Sequence, residues 1–133
     1  MIIKLAHQIK NATRYSIDGC VYLLRSEFAA RVEVYAFFWM MVALVLLKAS
    51  LLTLGIATIL FLIMIATEAL NTAIEVIIDR VSPEISPAGK KAKDLGSFAV
   101  MCMIIVNGIF FFGAVWGSDP VQQFAQYITS VFV

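Results

Sequence analysis

Charge is scarce in this chain and no sign dominates. Of 133 residues 14% are charged, and ten Lys and Arg against nine Asp and Glu leave a net charge of +1. Nucleic-acid binding needs a basic face to displace counterions from phosphates, so that class has no electrostatic support. Cysteine is nearly absent. Cys20 and Cys102 have no metal-ligand spacing, and Cys102 lies in an apolar run, where a buried free thiol is expected. The one histidine, His7, reads as a solvated side chain rather than a ligand. No Gly-x4-Gly-Lys-Ser/Thr phosphate loop occurs, and the protein-kinase and Rossmann signatures are missing too. There is no internal repeat and no low-complexity segment. A cleavable signal peptide is not expected, because Lys4, His7 and Lys10 interrupt the first apolar residues before an h-region forms.

What is present is apolar. The chain is 62% hydrophobic with a mean hydropathy of +0.93, which reads as one polytopic membrane domain rather than a soluble one. Residues 1–31 mix charges with apolar residues. Ile2, Leu5, Ile9 and Ala12 recur at helical spacing, with Lys4, Gln8 and Asn11 on other faces, so an amphipathic interfacial helix is expected there. Asp18-Gly19 is expected to bend or interrupt it, and Val21, Leu24 and Phe28 line a second amphipathic piece. Arg25, Glu27, Arg31 and Glu33 cluster just before the first span.

Membrane helices are expected at about 32–48, 49–80 and 95–117. Val34–Leu47 and Ala49–Thr67 carry no charge, and Lys48 between them can snorkel from a very tight turn. Two Ser-Pro steps and a Gly mark Val81–Asp94 as a loop. Leu95–Ser118 is uncharged, and Gly108, Gly113 and Gly117 would let a neighbouring helix approach closely. Ser118-Asp119-Pro120 has the form of a helix start. The 118–133 tail is expected to form an interfacial helix on the far side, with Val121, Phe124, Ile128 and Val131 on one face. Lys4, Lys10, Arg14, Arg25 and Arg31 precede the first span, and Arg80, Lys90, Lys91 and Lys93 lie between the second and third. The positive-inside rule therefore places the N-terminus and residues 80–93 in the cytoplasm.

One stretch breaks the apolar pattern. Glu68, Asn71, Glu75 and Asp79 fall within about 80° of one another on a helix. A carboxylate at bilayer depth costs about 2.5–3.5 kcal/mol on insertion scales, so this stripe must face protein, water, a cation or a ligand. Its bland reading is glue between helices; its sharper reading is a cation-dependent site at the membrane surface. Three spans do not easily surround such a stripe, so oligomerisation is expected.

The run Glu68-Ala69-Leu70-Asn71-Thr72-Ala73-Ile74-Glu75-Val76-Ile77-Ile78-Asp79, followed by Lys93-Asp94, resembles the signature of the prokaryotic diacylglycerol kinase family. Those proteins are small integral-membrane lipid kinases. The likeness extends in register from about Tyr15 to about Trp116. It implies an all-α homotrimer in the bacterial inner membrane, with sites between subunits. The implied reaction is transfer of the ATP γ-phosphate to diacylglycerol with Mg²⁺, giving phosphatidic acid.

By the same resemblance, Glu68 is the general base, and Glu27 and Glu75 hold the metal. Tyr15, Glu27, Glu75, Glu84, Ser86, Lys93 and Asp94 would bind nucleotide, and Ala30, Arg31, Glu68, Asn71 and Ser97 the lipid. Gln8 stands where a basic contact residue is expected, and Ile85 and Pro87 are apolar departures in the loop.

Other readings stand beside these. Lys90, Lys91 and Lys93 can serve as topology determinants or contacts to anionic lipid. Glu27 and Arg31, at i,i+4, can form an exposed ion pair. Asp79 with Arg80 can cap a helix end, and Tyr15 can be an interface anchor. Undecaprenol kinases are similar across the same motif, although Tyr15-Ser16 through Glu27-Phe28-Ala29-Ala30-Arg31 is closer to the diacylglycerol branch. A non-catalytic ion-site or assembly subunit is the alternative outside enzymes.

Overall fold

The computed structural model describes residues 2–82, 84 and 86–132, without the side chains of residues 2, 3, 131 and 132. The expectations for Ile85 and for the Ile2 and Val131 side chains lie outside the described residues. Among those described, the chain forms five helices: α1 Ile2–Ser26, α2 Phe28–Leu46, α3 Leu51–Val81, α4 Pro87–Trp116 and α5 Asp119–Phe132. Of these, α2, α3 and α4 are long and apolar enough to cross a membrane. At about 1.5 Å per residue α3 and α4 each reach ~45 Å, well beyond a ~30 Å hydrocarbon core, so their polar ends stand in the interface.

The first helix does not break at Asp18-Gly19. A glycine inside a helix costs about 1 kcal/mol relative to Ala, and twenty-five residues of helix absorb it. An i,i+4 contact of 3.6 Å between Arg14 Nε and Asp18 Oδ2 runs beside it. The break comes instead at Glu27, whose φ of −98° and ψ of 119° are extended. Arg31 stabilises this corner. Its Nη1 donates to the carbonyls of Leu24 at 3.0 Å and Arg25 at 3.1 Å, satisfying the orphan end of α1. The alternative of a Glu27–Arg31 ion pair is absent among the described residues, because the guanidinium is spent on those carbonyls.

The turn between α2 and α3 is as tight as its four residues demand. Lys48 takes a left-handed φ of 56°, Ala49 N bonds to Leu44 O at 2.9 Å, and Ser50 Oγ accepts from Thr53 N at 3.1 Å to cap α3. The second connection is shorter than expected. Ser86 Oγ accepts from Gly89 N at 3.0 Å and Pro87 takes the first turn, so α4 begins eight residues before Leu95. Lys90, Lys91, Lys93 and Asp94 therefore ride on a helix rather than in a loop. The Ser-Pro step is an N-cap followed by the one residue whose missing N–H costs nothing there.

Helices α3 and α4 form the closest pair. Gly96 sits against Asn71, and a Cβ at Gly96 would collide with Asn71 Oδ1, so the position of the Asn71 side-chain end depends on glycine there. Deeper down, Asn107 Nδ2 donates to its own-helix carbonyl of Met103 at 2.9 Å and reaches Leu60 O on α3 at 3.4 Å. Helix α2 joins through Phe37, whose ring stacks on Phe61 at 3.9 Å between centroids. The core is small: Leu23, Ala30, Leu44, Ala57, Met64 and Val100 are buried, while most large apolar side chains face outward.

Candidate active site

The stripe on α3 is one continuous polar seam whose exposure rises toward the helix end. Glu68 and Thr72 are buried, Asn71 and Glu75 half-buried, and Asp79 exposed. Asn71 Nδ2 donates to Glu75 Oε1 at 3.2 Å, one turn apart on the same face. Gly96 holds Asn71 from the other side, and the buried Asn71 Oδ1 has no partner among the described residues.

Carboxylates gather around Glu68. Glu27, at the α1–α2 corner, and Glu75 both lie close enough to act on its charge, and Glu68 in turn acts on Glu33. The last of these was not expected. The sequence pattern places Glu33 at a charged margin, whereas it lies inside α2, 6% exposed, with both carboxylate oxygens unpartnered among the described residues. Its spacing from Glu27 carries no helix-face signal, because the extended Glu27 separates the two elements. A buried polar group left unpaired costs about 1–3 kcal/mol, more if charged. Thr72 Oγ1 is likewise buried without a partner.

Further along α3, the α3–α4 junction encloses a cleft of about 270 Å³ lined by Asp79, Ser82, Glu84, Ser86, Lys90, Lys93 and Asp94, with Ile78 and Gly89. The expected nucleotide residues Glu84, Ser86, Lys93 and Asp94 meet here. Asp79 and Lys90 join them, although the sequence suggested a helix cap for the first and topology for the second. Lys93 Nζ contacts Asp79 Oδ1 at 2.5 Å, and Lys90 Nζ contacts Asp94 Oδ2 at 2.5 Å. Ser82 Oγ donates to Ser86 Oγ at 3.2 Å and closes the loop side. Helical spacing could have revealed the Lys90–Asp94 pair, but the Asp79–Lys93 pair crosses two helices and has no such signal.

Other expected residues lie elsewhere. Tyr15 is an exposed residue of α1 and does not line the cleft. Ala30 is fully buried in the chain's own packing, and Ser97 is exposed on α4 one residue beyond Gly96. Arg31 is engaged with α1 and lies 5.7 Å over the Phe28 ring.

The arrangement suits a polyanion only with added positive charge. Both cleft lysines already face carboxylates, and Glu84 adds a third acid. Among the described residues no three acidic, Cys or His side chains form a ready-made metal cage. A divalent cation of the Mg²⁺ kind needs no such cage, since it takes one or two carboxylates and completes its shell with phosphate and water.

Comparison with known proteins identifies a family. A family model described as prokaryotic diacylglycerol kinase matches residues 14–115, which contain both the seam and the cleft. A diacylglycerol kinase of a Sinorhizobium species is 50% identical over 99 residues, covering 74% of this chain and 72% of that protein. Diacylglycerol kinases of Pseudomonas aeruginosa and Haemophilus influenzae are 36% and 30% identical, covering 74% and 85% of this chain and 80% and 91% of their own length.

Proposed function

The chain belongs to the prokaryotic diacylglycerol kinase family, and we propose that this multi-pass membrane enzyme transfers the γ-phosphoryl group of ATP to the free hydroxyl of diacylglycerol. The products would be phosphatidic acid and ADP. The observation that carries this reading is a single helix face joining a buried acid to a lysine-bearing cleft: Glu68 within the helix packing and, nearer the helix end, exposed Asp79 with Lys93.

Glu68 is the general base. It takes the proton of the acceptor hydroxyl as that oxygen bonds to the γ-phosphorus, and the bond from phosphorus to the β,γ-bridging oxygen breaks to release ADP. From Asp79 to Glu68 is ~16 Å along the helix at 1.5 Å per residue, so the nucleotide lies along α3 and passes Glu75 to present its terminal phosphate. Glu75, oriented by Asn71, and Glu27 would hold Mg²⁺, which supplies charge neutralisation across the phosphates. Lys93 neutralises phosphate charge, and Glu84, Ser86 and Asp94 line the nucleotide's cleft. Asn71, Arg31 and Ser97 would contact the glycerol and ester groups of the lipid, whose one free hydroxyl is the one that Glu68 deprotonates.

The working form is a homotrimer in the bacterial inner membrane, with α1 in the interface and the N-terminus cytoplasmic. Buried polar atoms of Glu33, Asn71 and Thr72 that find no partner among the described residues support self-association, and the K/R pattern supports the orientation. Sites between copies would bring an exposed Tyr15 to a neighbour's nucleotide.

Purified protein in mixed micelles, given Mg·ATP with diacylglycerol or undecaprenol in separate assays, tests the reading. Transfer to diacylglycerol that disappears in Glu68→Gln is the expected result. Preference for undecaprenol would move the acceptor while keeping the site, and no transfer to either lipid from folded oligomer would remove the kinase reading. Rescue of activity on mixing Glu68→Gln with Lys93→Ala chains is expected of shared sites, and no rescue would argue for sites within one chain.

A further inference from the structure

The family match ends at residue 115, and α5 begins at Asp119. We propose that α5 is a membrane anchor that lays its apolar face on the leaflet opposite the candidate active site, through uncharged contacts with the lipid surface.

The junction is built rather than trailing. Ser118 is buried, its N and Oγ both donate to Val115 O at 3.1 and 2.7 Å, and Gln122 Nε2 donates to Trp116 O at 2.7 Å. These bonds satisfy the last carbonyls of α4 and leave two residues, Gly117 and Ser118, between the helices. Since α4 crosses the membrane from Lys93 to Trp116, α5 must start at the opposite surface. Its 14 residues reach ~21 Å, too short to cross ~30 Å of hydrocarbon. Trp116, exposed at the end of α4, is the type of side chain that settles at this level.

The faces of α5 are cleanly divided. Val121, Phe124, Ala125 and Ile128 share an arc of about 100°, and Gln122, Gln123, Gln126, Thr129 and Ser130 fill the rest, with Tyr127 at the border. Phe124 and Ile128 are 65% and 40% exposed while Val121 and Ala125 are half-buried, so the chain itself covers only part of that arc. Thr129 Oγ1 and Ser130 Oγ donate to the carbonyls of Ala125 and Tyr127 in the same helix, which lowers the need for water on the polar face. The only formal charge among the α5 side chains is Asp119, in the first turn where the helix dipole favours an anion. With no Lys or Arg, α5 has no means of recruiting anionic lipid, and burial of the apolar arc is its binding force. The inference stands whether or not the kinase reading does.

The test uses the full chain with Cys20→Ser and Cys102→Ala, in phosphatidylcholine nanodiscs with and without phosphatidylglycerol. Single cysteines replace Ile128 on the apolar arc or Gln126 opposite it. The expected result is that a water-soluble thiol reagent alkylates Ile128→Cys about tenfold more slowly than Gln126→Cys. A nitroxide at 128 should relax faster with oxygen dissolved in lipid than with an aqueous nickel chelate, equally in both lipid compositions. Equal alkylation rates, protection that requires phosphatidylglycerol, or efficient disulfide formation between two copies at position 128 would each overturn it. Phe124→Cys against Gln123→Cys repeats the comparison if position 128 disturbs assembly.

Discussion

Lys93 Nζ lies 2.5 Å from Asp79 Oδ1, tying the second turn of α4 to the last turn of α3 across the mouth of the cleft. Both side chains are at least a third exposed, and exposed pairs contribute about 0–1 kcal/mol, so the pair is cheap to exchange for a phosphate. Asp79→Asn should therefore lower KM for Mg·ATP by up to about fivefold with kcat little changed, as removal of a competitor worth ~1 kcal/mol requires. Steady-state kinetics check this. A higher KM would mean that Asp79 positions Lys93 instead of competing for it.

Gly96 and Asn71 make a second cross-helix dependence. In Gly96→Ala the added methyl displaces the end of the Asn71 side chain, which swings away and drops its 3.2 Å bond to Glu75. The expected outcome is a fall in kcat of about tenfold or more, with stability lowered by no more than ~1–3 kcal/mol because a flexible side chain yields before the backbone. Activity and thermal unfolding measured on the same preparation separate the two.

Glu68→Gln should cost about 10²–10⁴ in kcat if Glu68 is the base, without loss of the oligomer. Size-exclusion and transfer assays decide it.

Glu33→Leu should raise stability. Both oxygens of Glu33 are buried without partners among the described residues, so an apolar side chain of similar size removes polar atoms that cost about 1–3 kcal/mol to leave unpaired, and the unfolding temperature rises. A lower unfolding temperature would show that Glu33 finds its partner in a neighbouring copy.

Ser86→Ala removes the α4 cap, for which about 1 kcal/mol is typical. Hydrogen exchange at Gly89 and Lys90 should quicken and KM for Mg·ATP rise, since the first turn of α4 forms one wall of the cleft.

The sequence by itself determined the three spans, the seam on α3 and the tight turn at Lys48. Each is a matter of one helix's own period or of an uninterrupted apolar run, and such signals are local. Ser86-Pro87 was local too, an N-cap with Pro at the first turn, yet two Ser-Pro steps also read as loop until the helix was seen to start there. Tertiary structure alone decided the rest. It bent the chain at Glu27, because Arg31 reaches back seven residues to the carbonyls of α1. It buried Glu33 among the packed helices, and it brought Lys93 to Asp79 and Gly96 to Asn71 across two helices. Those relationships depend on the rotation and spacing of packed helices, and helical periodicity orders residues around one axis without fixing the distance between two.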